Sequence, residues 1–186
     1  EGNPTVLVEN DPSTAGIIGA NEFAASGDHD GTTILVSSSA LHSAYLVGDP
    51  TVTVDFNELR PLFGMASGSL VFVSGSTGVT SPEGIVEATD EPLILAGQVP
   101  SGSDLRTLLA LDLLGVEYKP IFGYEGSGDK RIAFERGEVN LMLDNSISYR
   151  DQMQPLEGEG RVVPIFSQGI MVGDALERIN SLPDLP

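Results

Sequence analysis

The fold is decided by residues 92–122, which read PLILAGQVPSGSDLRTLLALDLLGVEYKPIF. The short apolar run at 92–96 predicts a strand. The polar turn at 101–104 then opens a leucine-rich helix, and Gly115 is placed to end that helix. Residues 116–122 predict a second strand. A strand, a helix and a strand in this order are typical of two parallel strands joined by a crossover helix.

The residues before this stretch predict a similar pattern. A β-branched run at 4–9 and an apolar run at 32–36 each predict a strand, and the apolar spacing between 17 and 24 predicts a helix. The run SLVFV at 69–73 predicts another strand. The segment SGSTG at 74–78 that follows is interpreted as a linker between two lobes.

The residues after the deciding stretch continue the alternation. A glycine-rich loop at 123–128 leads into a shorter helix that ends near Arg136 and Gly137. Residues 139–143 and 161–166 each predict a strand. The chain is therefore predicted to be an α/β protein.

Composition excludes several classes of partner and site. Among 186 residues there are 9 Lys and Arg against 27 Asp and Glu, which gives a formal net charge of −18. Such a charge repels phosphate backbones and anionic lipid, so we expect no nucleic-acid partner. The chain has no cysteine, which excludes thiolate metal sites. No apolar run reaches the roughly 18–20 residues of a membrane span, so we expect no membrane insertion.

Hydroxyl groups and glycines lie between a predicted strand and a predicted helix at several places. The unpaired N–H groups of a helix's first turn, together with such hydroxyls, can hold a carboxylate without a basic side chain. Serines 37–39 follow a predicted strand, at the sheet edge where open α/β folds bind ligands. The alternative is that each serine only caps a helix or ends a strand. The predicted ligand-binding residues are Ser37, Ser38, Ser39, Ser101, Gly102, Ser103, Tyr124, Ser127, Asn140 and Asp144.

The last members of that set have equally plausible structural roles. Tyr124 stands in a glycine-flanked loop, where its ring can cover a ligand or pack against the protein. Asn140 and Asp144 bracket a predicted strand, where they can contact a ligand or form a turn.

Catalytic and metal-binding patterns are weak. His29 and His42 have no metal-ligand spacing, and no nucleophile elbow, phosphate loop or dinucleotide fingerprint is present in its required surroundings. We therefore predict no catalytic residue, no metal and no cofactor. The alternative is an enzyme that uses a serine or a carboxylate on an α/β scaffold, and His42 against one of Ser37–Ser39 would favour it.

Several stretches resemble the substrate-binding receptors of tripartite tricarboxylate transporters, the Bug-type family. Residues 2–10, with the loop and helix up to residue 21, resemble the family's first valine-rich strand, its ENxPGAGG loop and the helix after it. DGTTIL at 30–35 resembles the DGxTLL motif. GYEGSG at 123–128 with AFERGEV at 133–139 resembles the GYxGS and AxERGEVD segment, and LPDLP at 182–186 resembles the late LPDVP motif.

The resemblance implies a two-lobed fold of the type II periplasmic-binding-protein class, each lobe a mainly parallel sheet flanked by helices. Lobe one is expected to span 1–74 and 166–186, and lobe two 75–165. The implied function is extracytoplasmic capture of a small di- or tricarboxylate, between the serines at 37–39 and those at 101–103. The implied partners are the membrane permease subunits of the transporter.

Family members extend beyond this chain at both ends, so the resemblance also implies a truncated form. A truncated relative that no longer binds a ligand is the further alternative.

Overall fold

The computed structural model describes residues 2–3, 5–11, 13–26, 30–65, 67–87, 89, 91–172 and 175–177. Four helices of eight or more residues lie in these ranges: α1 (Ile17–Ala25), α2 (Ser39–Leu46), α3 (Asp104–Leu114) and α4 (Ser127–Glu135). The strands are β1 (Ser69–Ser74), β2 (Leu93–Ala96), β3 (Tyr118–Ile121), β4 (Leu141–Asn145), β5 (Val162–Gln168), β6 (Ile170–Val172) and β7 (Ala175–Glu177). Shorter helical turns cover Ser13–Gly16, Gly75–Thr77, Pro82–Val86, Ser146–Ser148, Tyr149–Met153 and Gln154–Glu159.

The main sheet has five strands in the order β3-β2-β4-β1-β5. β2 pairs in parallel with β3 and with β4, whereas β1 pairs antiparallel with β4 and with β5. The α/β class is thus confirmed, but the sheet is mixed rather than mainly parallel. The reason is that β1 runs against both of its neighbours.

Helices cover both faces of this sheet. Along β1, Val71 and Val73 belong to one hydrophobic cluster, and Leu70 and Phe72 belong to a second. Because successive side chains of a strand point to opposite faces, the two clusters lie on opposite sides of the sheet. The first includes Leu111 of α3, and the second includes residues of α4 and of the 149–153 turn. We call this part, residues 67–168, the sheet unit.

A third hydrophobic cluster gives the residues before the sheet a core of their own. It joins α1, α2 and the segment after α2 through Ile17, Ala20, Leu41, Ala44 and Val54. The side chain of Asn21 fixes that segment, since its Oδ1 accepts from the amides of residues 53 and 54 at 2.9 and 3.1 Å. We call α1, α2 and residues 47–59 the N-terminal unit.

Two strands predicted near the N-terminus are absent from the described residues. Residues 5–9 and 32–36 pair with no other strand there, although the helix predicted between them is confirmed as α1. Val6 and Val36 are 79% and 83% exposed. A β-branched run becomes a strand only where a second strand satisfies its backbone, so composition alone predicted these two wrongly. The strands and helices predicted from residue 69 to 168 are confirmed with small shifts of their ends.

The predicted linker is packed within the sheet unit. Residues 75–77 form a helical turn, Thr77 is fully buried, and the Gly75 amide donates to the Arg161 carbonyl at 3.0 Å. β1 itself pairs with strands on the far side of the predicted boundary at 74/75. The division into two lobes stays a prediction, and the paired position of β1 favours a boundary before residue 69.

Candidate ligand-binding site

The loop between β2 and α3 lies against the start of α2. A Cβ placed on Gly102 would lie 3.5 Å from the Ala40 Cβ and 2.9 Å from Val99 Cγ2. Gly102 is buried, and a side chain there would be crowded by Val99 and in ordinary van der Waals contact with Ala40. Two of the predicted ligand segments, 37–39 and 101–103, are therefore brought close to each other, although 61 residues separate them in sequence.

The serines at the start of α2 have different roles. All three are exposed, and Ser38 caps the helix by accepting from the Ala40 amide at 3.3 Å. Ser39 accepts the Ser43 hydroxyl through its carbonyl oxygen at 3.0 Å. Ser37 has no hydrogen bond among those found in the described residues. Ser38 is thus the cap of α2, while no hydrogen bond found in the described residues occupies the hydroxyls of Ser37 and Ser39.

His42 does not stand beside a serine hydroxyl. Its Nδ1 lies 3.3 Å from the carbonyl oxygen of Ser38, and its ring centroid lies 4.4 Å from that of Phe56. A base that activates a serine must reach the hydroxyl oxygen. The geometry around α2 therefore gives no support to the serine-enzyme alternative. His29, the other histidine, lies outside the described residues.

The hydroxyl of Ser101 is held by a carboxylate of the N-terminal unit. Its Oγ donates to Asp49 Oδ2 at 2.5 Å. The other carboxylate oxygen of Asp49 accepts the Thr51 amide at 2.9 Å and the Thr51 hydroxyl at 2.6 Å. These bonds, with that of Ser101 the strongest, lower the pKa of Asp49 below its ordinary value. Nothing in the sequence near Ser101 indicated this partner, which lies 52 residues earlier.

A buried ion pair supports the loop from behind. Asp104, at the first position of α3, is 1% exposed and Lys130 of α4 is 2% exposed. Lys130 Nζ lies 3.9 Å from Asp104 Oδ1 and donates to the Leu143 carbonyl at 3.1 Å. Asp104 Oδ2 accepts the Gln98 amide at 2.7 Å, so the carboxylate fixes the start of the loop as well as the start of the helix. Within the described residues no hydrogen-bond donor reaches Asp104 Oδ1.

Neither Ser103 nor Ser127 is needed as a cap. Ser103 immediately precedes α3 and makes no side-chain cap bond, and Ser127 is the first residue of α4. Both are half-buried. Their hydroxyls are therefore available at two helix starts near the carboxyl end of β2.

Asn140 and Asp144 use their polar atoms inside the protein. Asn140 is buried, its Oδ1 accepts the Ile94 amide at 2.7 Å, and its Nδ2 donates to the Pro92 carbonyl at 2.9 Å. Asp144 is buried and accepts Arg131 Nη1 at 3.1 Å. Such bonds remove the cost of burying these polar groups.

Tyr124 is half-buried and packs against the second cluster of the sheet unit. Its ring therefore packs against the protein, which is the structural role considered for it above.

Two open depressions in the described residues lie elsewhere. One open depression of about 240 Å³ and another of about 160 Å³ are both smaller than the roughly 300–1,000 Å³ of typical small-molecule sites. Neither is lined by a predicted ligand residue. The first is lined by Ser74, Ser76, Phe134, Glu135, Leu156, Gly160 and Arg161, and the second by residues between Gly78 and Glu87.

Other classes of site find no support in the described part of the chain. No group of three or more His, Asp or Glu side chains there is arranged to hold a metal ion. No helix in that part has the length and apolar content needed to cross a membrane.

Several solved structures are similar to this one. MatC from Rhodopseudomonas palustris with bound malate has a TM-score of 0.55 at 19% identity, covering 80% of this chain and 48% of its own. A periplasmic transporter has a TM-score of 0.52 at 18% identity, covering 69% and 43%. The fold is that of periplasmic binding proteins. The periplasmic binding protein BugD, at 20% identity over 65% of this chain and 38% of its own, has a TM-score of 0.48.

The match is one of structure and not of sequence. No family model matches the chain, and no curated protein matches it by sequence. The chain spans less than half the length of each of the three solved structures. At such low identity they show the fold alone.

Proposed function

We propose that this protein is an extracytoplasmic receptor that captures a small organic di- or tricarboxylate and delivers it to the permease subunits of a tripartite transporter. The observation that carries the proposal is the contact between the start of α2 and the loop before α3, at Ala40 and Gly102. The periplasmic-binding-protein fold supports a solute-binding role. The similar MatC structure contains malate, which makes a small carboxylate the natural candidate.

The residues at this contact suit an anion despite the net charge of −18. The first turns of α2 and α3 present backbone N–H groups and the positive ends of two helix dipoles. Ser37, Ser39 and Ser103 add hydroxyl donors that no cap bond occupies. Neutral donors of this kind bind a carboxylate without a counter-charge, which is how helix starts hold anions generally.

A thermal-shift experiment tests the proposal. Succinate, malate and citrate are added to the protein, with succinamide as a neutral analogue and sodium chloride at matched ionic strength as controls. At a ligand concentration near 100 times Kd, binding stabilises the folded protein by about 2.7 kcal/mol. For a chain of this size that is a rise in Tm of about 5–10 °C.

Matched variants locate the binding. Ser103→Ala removes a free hydroxyl at the start of α3, so it is expected to weaken binding by about tenfold or more, since one hydrogen bond to a charged group contributes about 1.5–3 kcal/mol. Ser26→Ala removes an exposed hydroxyl that donates to the Phe23 carbonyl at the end of α1, and should leave affinity unchanged. If none of the carboxylates raises Tm, the receptor proposal fails and the non-binding alternative is favoured.

A further inference from the structure

One side-chain hydrogen bond joins the N-terminal unit to the sheet unit at the proposed ligand position. The Ser101 hydroxyl donates to Asp49 Oδ2 at 2.5 Å, a distance typical of a charge-assisted bond to a carboxylate. Asp49 follows α2, whereas Ser101 lies in the loop before α3. The hydrophobic clusters of the two units are separate, so this bond and the approach of Ala40 to Gly102 hold together parts that have their own cores.

Asp49 is fixed from the side of the N-terminal unit. Its amide donates to the Ala44 carbonyl of α2 at 3.0 Å, and its Oδ1 accepts two bonds from Thr51. The carboxylate therefore cannot turn away from Ser101 without breaking local bonds. If the contact opens, the units must move apart or Thr51 must release its acceptor.

A serine hydroxyl has a single proton to donate. While Ser101 donates to Asp49, it cannot donate to a ligand carboxylate. A ligand anion that approaches this hydroxyl also meets the negative charge of Asp49, and like charges within a few ångströms repel even when water screens them. Asp49 thus opposes an anion in two independent ways.

We infer that Asp49 is an internal competitor for the proposed ligand: its carboxylate holds Ser101 and latches the two units together until a ligand carboxylate displaces it. The competition with a ligand carboxylate rests on the proposed function. The latch between Asp49 and Ser101 does not. Asp49 then determines specificity. A ligand must break the bond between Asp49 and Ser101, so only a ligand that forms more than one new contact with the protein binds well. A dicarboxylate, with a second anionic group for a second helix start, meets that requirement better than a monocarboxylate.

Calorimetric titration with succinate measures the competition. Asp49→Asn keeps the shape and removes the charge, and is expected to tighten succinate binding about tenfold. The matched control is Asp55→Asn, since Asp55 is a carboxylate of the same unit that accepts the amide and side chain of Asn57 and does not contact Ser101. In a Ser101→Ala background the gain from Asp49→Asn should shrink, because the contested hydroxyl is gone and only the charge repulsion remains to be relieved.

Amide hydrogen exchange measures the latch without a ligand. Asp49→Asn replaces a charge-assisted bond by a weaker neutral one, so the amides of residues 101–103 should exchange several times faster, with no change in the Asp55→Asn control. If the wild type binds succinate and Asp49→Asn binds it no more tightly, the competition is refuted while the receptor function stands.

If no variant binds a carboxylate, the receptor function fails, and exchange alone decides the latch. Faster exchange in Asp49→Asn then supports the latch, and unchanged exchange refutes it.

Discussion

Replacing Lys130 by Met tests how deeply the ion pair behind the ligand loop is buried. Lys130 and Asp104 are each almost fully buried, and their charged atoms lie 3.9 Å apart. The methionine fills similar volume but removes the positive charge. The carboxylate is left with the Gln98 amide as its donor and with an oxygen that has no donor.

The expected loss follows from this geometry. Breaking a buried pair by removing one partner costs about 3–5 kcal/mol, because the other charge stays desolvated. The pair is long, and Gln98 still donates to the carboxylate, so we expect the lower end, about 3 kcal/mol. In a chain of 186 residues that corresponds to a fall in Tm of about 6–12 °C.

Urea unfolding of four proteins provides the measurement: wild type, Lys130→Met, Asp104→Asn and the double variant. The free energy of unfolding of the double variant should fall by about 2 kcal/mol less than the sum of the falls in the two single variants, since the double variant leaves no buried charge without a partner. The control is Arg136→Met. Its pair with Glu138 has side chains 70% and 57% exposed, and we expect a loss below about 0.5 kcal/mol. If Lys130→Met lowers the free energy of unfolding by less than about 1 kcal/mol, the pair is not desolvated and the reasoning is refuted.

Three further predictions concern residues outside that pair. Gly75→Ala would place a Cβ 1.8 Å from a backbone carbonyl oxygen and should cost about 3 kcal/mol in urea unfolding, whereas Gly64→Ala meets no atom within 4 Å and should cost less than about 0.5 kcal/mol. Asn140→Ala should cost about 1–3 kcal/mol by orphaning two backbone groups; a loss of carboxylate affinity with unchanged stability would instead make Asn140 a ligand residue. Tyr149→Phe should cost about 1 kcal/mol near pH 7, because the buried phenol donates to Glu157 at 2.7 Å. Burial raises the pKa of the Tyr149 phenol, and its hydrogen bond to Glu157 raises that pKa further. Above roughly pH 10 this tyrosine therefore ionises in the unfolded chain and not in the folded protein, which lowers the stability of the wild type. The difference in free energy of unfolding between wild type and Tyr149→Phe should narrow there.

The sheet unit was predictable from sequence because its signals are local. The leucine run between Ser101 and Gly115 specifies a helix by composition and by its ends, and the strands on either side are short apolar runs. The order of the strands was not predictable in this way. Whether SLVFV at 69–73 joins the sheet at an edge or in its interior, parallel or antiparallel, depends on pairing with residues 68–99 positions away.

The same limit explains the errors near the N-terminus. The runs at 4–9 and 32–36 have the composition of strands, but composition cannot supply the second strand that their backbone needs. Their structure in the described residues shows no such pairing. Strand propensity therefore shows which residues favour a strand. It does not show whether a second strand is present to pair with them.

The candidate site was predictable in outline and not in detail. Helix starts can be located from serines and glycines ahead of an apolar run, and this placed the starts of α1, α3 and α4 correctly, whereas α2 was not predicted. The partners of the polar atoms could not be located, because Asn140 and Ser101 bond to groups far along the chain. Sequence shows that a polar group exists, and only the fold shows whether it is already used.

The interior position of β1 has a consequence for how the chain folds during synthesis. The two strands that satisfy the edges of β1 begin at Leu141 and Val162, so both leave the ribosome long after it. Until then the fully apolar stretch Leu70–Val73 carries two open edges, which is the kind of segment that joins strands of other molecules. Closing the loops from β1 to its partners also makes sheet formation slow. A chaperone that shields residues 69–74 during this interval should raise the yield of folded protein more than one that acts on any other strand.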